Sequence, residues 1–370
     1  MPPDTSAVRQ GEELNVRALS DYLRGKIEGV EQGISVEQFP GGHSNLTYLI
    51  KPNCTDTPRS TATPGCESAP TREREYVLRR SPLGPVAPKA HDMAREFHVL
   101  QAINPYFPEA PKVYHLCEDP NIIGATFFIM QRRQGAILRT KIPPEVEAVP
   151  DHPKKISEAF IDCQIRLHAI DVKATGLIAL GKPEGFIERQ LKGWTDRWNR
   201  AKTEDLPQMD RVVEWLTKNL PPSPPPTLVH NDYKLDNVML RNKTFDQIEA
   251  VLDWEMTTIG DPLSDLGLTL CYWAWATAPE FRAMGLQAPS SMPGWYSRDQ
   301  FVERYAEKTG RDLKHLGYHE VLGVFKLAVI LQQIYYRYHV GQTKDERFRD
   351  FDARVRVLAQ LAESIMEKQK

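Results

Sequence analysis

The sequence has 370 residues, of which 41% are hydrophobic and 26% charged, with 47 basic and 49 acidic side chains and a net charge of −2. At about 100–200 residues per domain it is a globular chain of two domains or of one two-lobed domain, and its composition excludes collagen-like, coiled-coil and disordered chains. The near-neutral charge excludes a broad nucleic-acid surface, so no nucleic-acid partner is expected.

No apolar run approaches the about 18 residues of a membrane span. The longest, Val321 to Ile334, is broken by Lys326 and the Gln332–Gln333 pair, so no membrane partner is expected. The N-terminal MPPDTSAVRQGEELN lacks an apolar core and carries acidic residues. It does not read as a secretory signal, and a cytoplasmic location is the expectation. Five cysteines (Cys54, Cys66, Cys117, Cys163, Cys271) are scattered without any CxxC. They predict neither a disulfide framework nor a structural zinc site; Cys54 and Cys66 read as free thiols.

Residues 1–12 read as a loose tail. Leu19, Leu23 and Ile27, each four apart, predict a helix over Leu14 to Ile27. Alternation at Ile34, Val36 and Phe39 predicts a strand ending at Pro40-Gly41-Gly42, and a second strand follows at Thr47 to Ile50. The Ser/Thr/Pro-rich stretch 52–71 cannot support a core and reads as a mobile insertion before a strand at Tyr76 to Arg79. His91 to Ile103 is a helix with Met93, Phe97 and Leu100 on one face. Strands follow near Lys112 to Leu116 and at Thr126 to Met130.

Gln131 to Gly135, polar and ending in glycine, suits a connector between two lobes. From Lys155 on the pattern is mainly helical; Trp194 and Trp198, four apart, read as core packing. LPPSPPPT, 220–227, is an extended lead-in to a short strand at Leu228-Val229. The loop His230-Asn231-Asp232-Tyr233-Lys234-Leu235-Asp236-Asn237 comes next. A hairpin follows, with strands at Val238–Leu240 and Ile248–Leu252, and it delivers Asp253.

That hairpin reverses the chain and returns Asp253 beside Asn237. An amide oxygen and a carboxylate then share a site with a further carboxylate, Asp232. Hard oxygen donors of this kind suit Mg²⁺, which takes one or two carboxylates together with substrate phosphates. Asp232 is placed to accept a proton from, or orient, an attacking hydroxyl. The layout is that of phosphoryl transfer, in which the protein positions and neutralises.

HNDYKLDN followed by VLDWE resembles the H-x-D-x-x-x-x-N and Asp pair of the aminoglycoside phosphotransferase family. GGHSNLTYLI, EYVLRRSP, HDMAREFHVL and GDPLSDLG occur in that family's order, over roughly residues 34–267. The chain looks most like the phosphotransferase-like domains fused to acyl-CoA dehydrogenases and their free-standing bacterial relatives. The resemblance implies an α/β (α+β), two-lobed protein-kinase-like fold. Its N-terminal nucleotide-binding lobe, antiparallel sheet plus helix, would span 1–130. The hinge would be 131–135, and 136–370 would form a mostly helical catalytic and acceptor-binding lobe, with nucleotide and Mg²⁺ in the cleft.

By the same resemblance Asp232 is the expected catalytic base, with Lys234 touching the transferred phosphate. Asn237 and Asp253 are the expected metal ligands. His230 and Asp265 would support the catalytic loop. Gly41, Gly42, His43, Ser44 and Asn45 would cover the nucleotide phosphates, Arg79 would meet them in partnership with Glu96, and Gln131 and Arg133 would lie along the adenine. Periodicity independently puts Glu96 on the rim of the buried helix face. Two departures stand out. Asn231 replaces the family's usual glycine, and asparagine is the residue that best tolerates positive φ after glycine. Arginine replaces the usual lysine, and strand alternation turns only one of Arg79 and Arg80 inward.

The implied function is an ATP-dependent phosphotransferase with an alcohol group as acceptor; GTP is the alternative nucleotide. No Walker, GxSxG or HExxH motif competes. Aminoglycosides are polycations and call for acidic sites, whereas 186–200 (FIERQLKGWTDRWNR) is net basic. That charge favours an anionic acceptor over an aminoglycoside, and the resemblance to the acyl-CoA-dehydrogenase-linked domains implies that it is of hydroxyacyl type. The competing expectation is a non-catalytic nucleotide-binding or scaffold protein on the same fold. Oligomeric state is not legible in the sequence.

Overall fold

The computed structural model describes residues 4–40, 45–53, 75–82, 92–274 and 288–369. The chain divides into two units, Met1–Gln134 and Gly135–Lys370. Most of the 52–71 insertion, from residue 54 on, lies outside the described residues, as do Cys54 and Cys66. Cys117, Cys163 and Cys271 are buried. No helix among the described residues is long and apolar enough to cross a membrane.

In the first unit, α1 (Val16–Leu23) starts where Asn15 Oδ1 accepts the N–H of Ala18 at 3.0 Å, satisfying one of the open donors of a helix start. It ends before the expected Ile27, because Gly25 takes φ 72°, a conformation that favours glycine and stops helices. The apolar stripe is kept all the same: Leu19, Leu23 and Ile27 are buried.

Strands β1 (Ile34–Gln38), β2 (Leu46–Pro52), β3 (Tyr76–Arg80), β4 (Val113–Cys117) and β5 (Phe127–Gln131) form one antiparallel sheet in the order β1-β2-β3-β5-β4. Phe127 to Met130 are buried without a break, as a strand covered on both faces requires. Gln131, expected in a connector, instead closes β5. Its N–H donates to Lys112 O at 2.7 Å and prolongs the ladder. Helix α2 (Met93–Ile103), capped by Asp92 on the N–H of Arg95 at 2.9 Å, packs against β4 and β5. It buries Met93, Phe97, Leu100 and Ile103, and with them Glu96.

The second unit is mostly helical: α3 (Pro144–Glu147), α4 (His152–His168), α5 (Phe186–Ala201), α6 (Pro207–Lys218), α7 (Pro262–Ala274), α8 (Arg298–Thr309), α9 (Leu316–His339) and α10 (Phe351–Glu367). Two small antiparallel sheets are set among them. One joins β6 (Gly135–Ala136), β8 (Val238–Arg241) and β9 (Ile248–Val251); the other joins β7 (Thr227–Val229) and β10 (Thr258–Gly260). From Leu316 to Val329 every residue of α9 is buried, the mark of a helix enclosed on all sides. It packs against α5, α6, α7 and α10. Trp194 and Trp198 join this core with Met209, Phe325 and Leu358.

Helices α7 and α9 meet backbone to backbone. A Cβ on Gly267 would stand 2.6 Å from the carbonyl carbon and oxygen of His319. No helix backbone can yield by that much without displacing its core. Gly267→Ala is expected to lower stability by about 1–3 kcal/mol, read as a reduced urea midpoint with an unchanged slope.

Candidate active site

Strand pairing assembles the site. β7 and β10 pair Val229 with Thr258 and Thr227 with Gly260. The chain then turns into α7, which carries Asp265 in its first turn. The start of α7 thereby lies at the base of the loop that leaves β7. On the other side β8 and β9 pair Val238 with Val251, and the N–H of Leu252 donates to Asn237 O at 2.8 Å. Asp253 follows directly.

Asp265 is fully buried and accepts three N–H groups. They are the backbone N–H of His230 at 3.0 Å, that of Asn231 at 2.6 Å, and Nε2–H of His168 at 3.1 Å. Burial alone would raise its pKa; the His168 hydrogen bond and the neighbouring imidazoles outweigh burial and hold it below the ordinary carboxylate range. His230 is buried as well, and burial pushes its imidazole down toward the neutral form. Its Nε2 donates to Leu252 O at 3.0 Å while Nδ1 accepts the N–H of Asp232 at 3.3 Å. One neutral tautomer satisfies both bonds and ties the loop to the end of the hairpin.

Asp232 projects from this frame. Lys234 Nζ lies 3.1 and 2.9 Å from its two carboxylate oxygens. Asn237 Nδ2 donates to Asp232 O at 2.9 Å and to Oδ2 at 2.8 Å. Burial draws the Lys234 ammonium down, but Asp232, Asp236 and Asp253 outweigh it and keep it above the usual lysine range. Tyr272, from α7, has its phenol pushed well up by burial and by the charge of Asp232, and so stays protonated.

Two residues here adopt the left-handed backbone region that side chains disfavour: Asn231 at φ 64° and Asp253 at φ 67°. Such conformations cost about 1–3 kcal/mol and persist only where surrounding bonds over-determine them. At Asn231 they do. Its N–H goes to Asp265, its Nδ2 donates to Met256 O at 3.0 Å, and its carbonyl accepts from Lys326 Nζ at 2.9 Å.

His168 and Lys326 are functional-site neighbours that sequence reasoning missed. His168 carries no local signal. Lys326 carried one: it is the single charge within an otherwise apolar run.

In the first unit, Arg79 Nε lies 3.0 Å from Oε2 of the buried Glu96, with the arginine side chain 12% exposed. Arg80 faces the opposite side of the sheet and donates to Ile123 O at 2.8 Å. Both arginines are thus drawn in, one on each face. Asn45 is buried; Gly41, Gly42, His43 and Ser44 lie outside the described residues. Arg133 turns its guanidinium onto Pro108 O.

Among the described residues no group of three or more His, Cys, Asp or Glu is arranged to hold a metal. Asn237 and Asp253, which the sequence put forward as an amide and a carboxylate donor, stand at the two ends of the β8–β9 hairpin. The model of the phosphotransferase enzyme family (APH) matches residues 35–301. Acyl-CoA dehydrogenase family member 11 of Gallus gallus is 31% identical over 371 residues, covering 97% of this chain and 44% of that protein. The chain spans less than half the length of the curated relatives it matches. The crystal structure of a candidate aminoglycoside phosphotransferase from Ralstonia eutropha JMP134 is similar at 28% identity, with a TM-score of 0.76 over 97% of this chain and 100% of that one. Choline kinase from Cryptosporidium parvum shares the fold at 12% identity, with a TM-score of 0.63 over 96% and 97% of the two chains.

Proposed function

Because the chain belongs to the phosphotransferase enzyme family, we propose that it is a small-molecule kinase, moving the γ-phosphoryl group of ATP to the hydroxyl of a small metabolite. The acceptor oxygen forms the new bond to phosphorus as the bond to the bridging oxygen of ADP breaks, and the hydroxyl proton passes to Asp232. The observation that carries this reading is the Asp232 carboxylate itself, aimed by the Asn237 amide at 2.8 Å and neutralised by Lys234 at 2.9 Å. A positioned carboxylate is what proton removal from an alcohol requires. Lys234 is the cation that can follow the charge from Asp232 onto the transferred phosphoryl group.

The residues fit Mg²⁺. Asn237 gives its Nδ2 to Asp232, which reserves Oδ1, a hard oxygen, for a cation; Asp253 adds a carboxylate. When bound there, the ion neutralises nucleotide phosphate charge. The Arg79–Glu96 pair of the first unit is assigned to the nucleotide phosphates, and Asn45 stands with it as a candidate contact. The composition of helix α5 supports an anionic acceptor: residues 186–200 hold four basic residues, Arg189, Lys192, Arg197 and Arg200, and two acidic ones, Glu188 and Asp196. Arg189 is engaged on the carbonyls of Lys182 and Glu184, and Arg197 on Gly193 O and the Trp194 ring, so it is the net charge of the helix that supports this reading. A hydroxyacyl group, carried as a CoA thioester, fits that charge better than a polycationic aminoglycoside. The names of the acyl-CoA dehydrogenase relatives lean the same way.

Thermal unfolding with ATP or GTP, each with and without Mg²⁺, tests the nucleotide site. A ligand at about 100 times its Kd adds about 2.7 kcal/mol. That Mg²⁺-dependent stabilisation is expected in the wild type and absent in Asp253→Ala. No shift with either nucleotide would overturn the kinase reading. Turnover of hydroxyacyl-CoA thioesters against kanamycin tests the acceptor class, and efficient phosphorylation of kanamycin would overturn it.

A further inference from the structure

Lys326 is a buried charge to which the proposed chemistry gives no task. Its neighbours along α9, Val324, Phe325, Leu327, Ala328 and Val329, are all buried and apolar. An ammonium group is costly in such a place unless it has partners. Its Nζ donates to Asn231 O at 2.9 Å and stands 5.4 Å from the centre of the Trp194 ring. The close approach of α9 to α7 brings it there: a Cβ on Gly323, one turn before Lys326, would lie 3.1 Å from Gly267 O.

Three elements therefore hold the one residue that precedes Asp232. α7 takes its N–H through Asp265, the segment after β9 takes its side chain through Met256 O, and α9 takes its carbonyl through Lys326. The carbonyl belongs to the peptide that joins Asn231 to Asp232. With Asn231 left-handed at φ 64°, release of that carbonyl frees the peptide plane to rotate toward an ordinary conformation.

We propose that Lys326 is a positioning residue for phosphoryl transfer, fixing the Asn231–Asp232 peptide through the Asn231 carbonyl and so setting the direction in which Asp232 presents its carboxylate. This rests on the assignment of Asp232 as the proton acceptor. The charges around Lys326 suit the role. Burial pushes its pKa down to about 8, Asp232 and Asp265 pull it up, and Lys234 and Arg197 oppose it. The group remains a donor at neutral pH.

The test compares Lys326→Met and Lys326→Gln with wild type in the full chain. It reads the thermal midpoint, amide exchange over residues 229–236, and ADP release from Mg²⁺·ATP with a hydroxyacyl-CoA thioester and with water as acceptors. Lys326→Met is expected to fold with an unchanged or raised midpoint, because an apolar side chain of similar length replaces a buried cation. Its KM for ATP should stay, its kcat should fall by about 10-fold or more, and exchange at Asn231 and Asp232 should quicken. Lys326→Gln, which keeps a donor, should recover part of both effects. A lowered midpoint with normal kcat in the folded fraction, or unchanged exchange and kcat together, would overturn the proposal. If wild type also releases no ADP, the assignment of Asp232 fails instead. Exchange then decides alone: faster exchange in Lys326→Met upholds the positioning of the loop, and unchanged exchange refutes it.

Discussion

Asp265→Ala is expected to lower the free energy of unfolding by about 3–5 kcal/mol at neutral pH. The carboxylate is fully buried and is the acceptor for two consecutive backbone N–H groups and for His168. Removing it strands three buried donors with no water to take them, and each such donor costs about 1–3 kcal/mol. Asp265→Asn keeps the shape but turns one acceptor into a donor, so a smaller loss is expected. Urea unfolding of the three proteins measures this. A wild-type midpoint in the alanine variant would mean that the loop is held by something other than Asp265.

The same carboxylate has a pH signature. Its folded pKa is depressed, so its contribution is fully present above the unfolded value near 3.9. It is lost as pH falls through the lower folded value, because the unfolded chain takes up the proton first. Between neutral pH and acid, the stability difference between wild type and Asp265→Ala should therefore shrink. A difference that stayed constant down the acid limb would contradict an ionised Asp265.

The fold was legible where one segment's pattern determines its burial. The apolar run Thr126 to Met130 reads as a strand, and Phe127 to Met130 form a fully buried one; the stripes Leu19-Leu23-Ile27 and Met93-Phe97-Leu100 each bury as read. Boundaries slipped where a local backbone choice or a tertiary hydrogen bond intervened. Gly25 cut α1 short, and the bond from Gln131 N–H to Lys112 O carried β5 into the expected connector. The contact of Gly267 with His319 joins residues 52 positions apart, and nothing in either segment announces it.

The site divides the same way. The turn from Asn237 to Asp253 could be read from spacing because one hairpin closes it, and the pairing of Val238 with Val251 is that hairpin. Which of Arg79 and Arg80 turns inward could not be read, since a period of two fixes faces without saying which is which. The structure engages both, the partly exposed Arg79 on Glu96 and the buried Arg80 on Ile123 O. His168 and Lys326 arrive from α4 and α9 with no spacing rule to link them to the loop. Lys326 at least broke an apolar run, and a charge placed where burial is certain asks for a partner.

Asp232→Asn is expected to cost about 10²–10⁴ in kcat, while nucleotide binding and stability remain near wild type. The asymmetry follows from magnitudes. The Asp232–Lys234 ion pair is partly open to solvent, with side chains 21% and 28% exposed. Pairs of that kind contribute about 0–1 kcal/mol to folding, and the amide oxygen of asparagine can still accept from Asn237 Nδ2. An amide cannot take the acceptor's proton, however. The loss of about 10²–10⁴ corresponds to about 3–5 kcal/mol of barrier, well beyond anything the ion pair gives to stability. ADP release under saturating Mg²⁺·ATP and acceptor, set beside the Mg²⁺·ATP thermal shift, separates the two quantities. Retained shift with lost turnover is the expected pair of results. Full turnover in the variant would remove Asp232 from the proton path and leave Lys234, with Asn237 and Asp253 as the proposed Mg²⁺ ligands, to carry phosphoryl transfer by electrostatics alone.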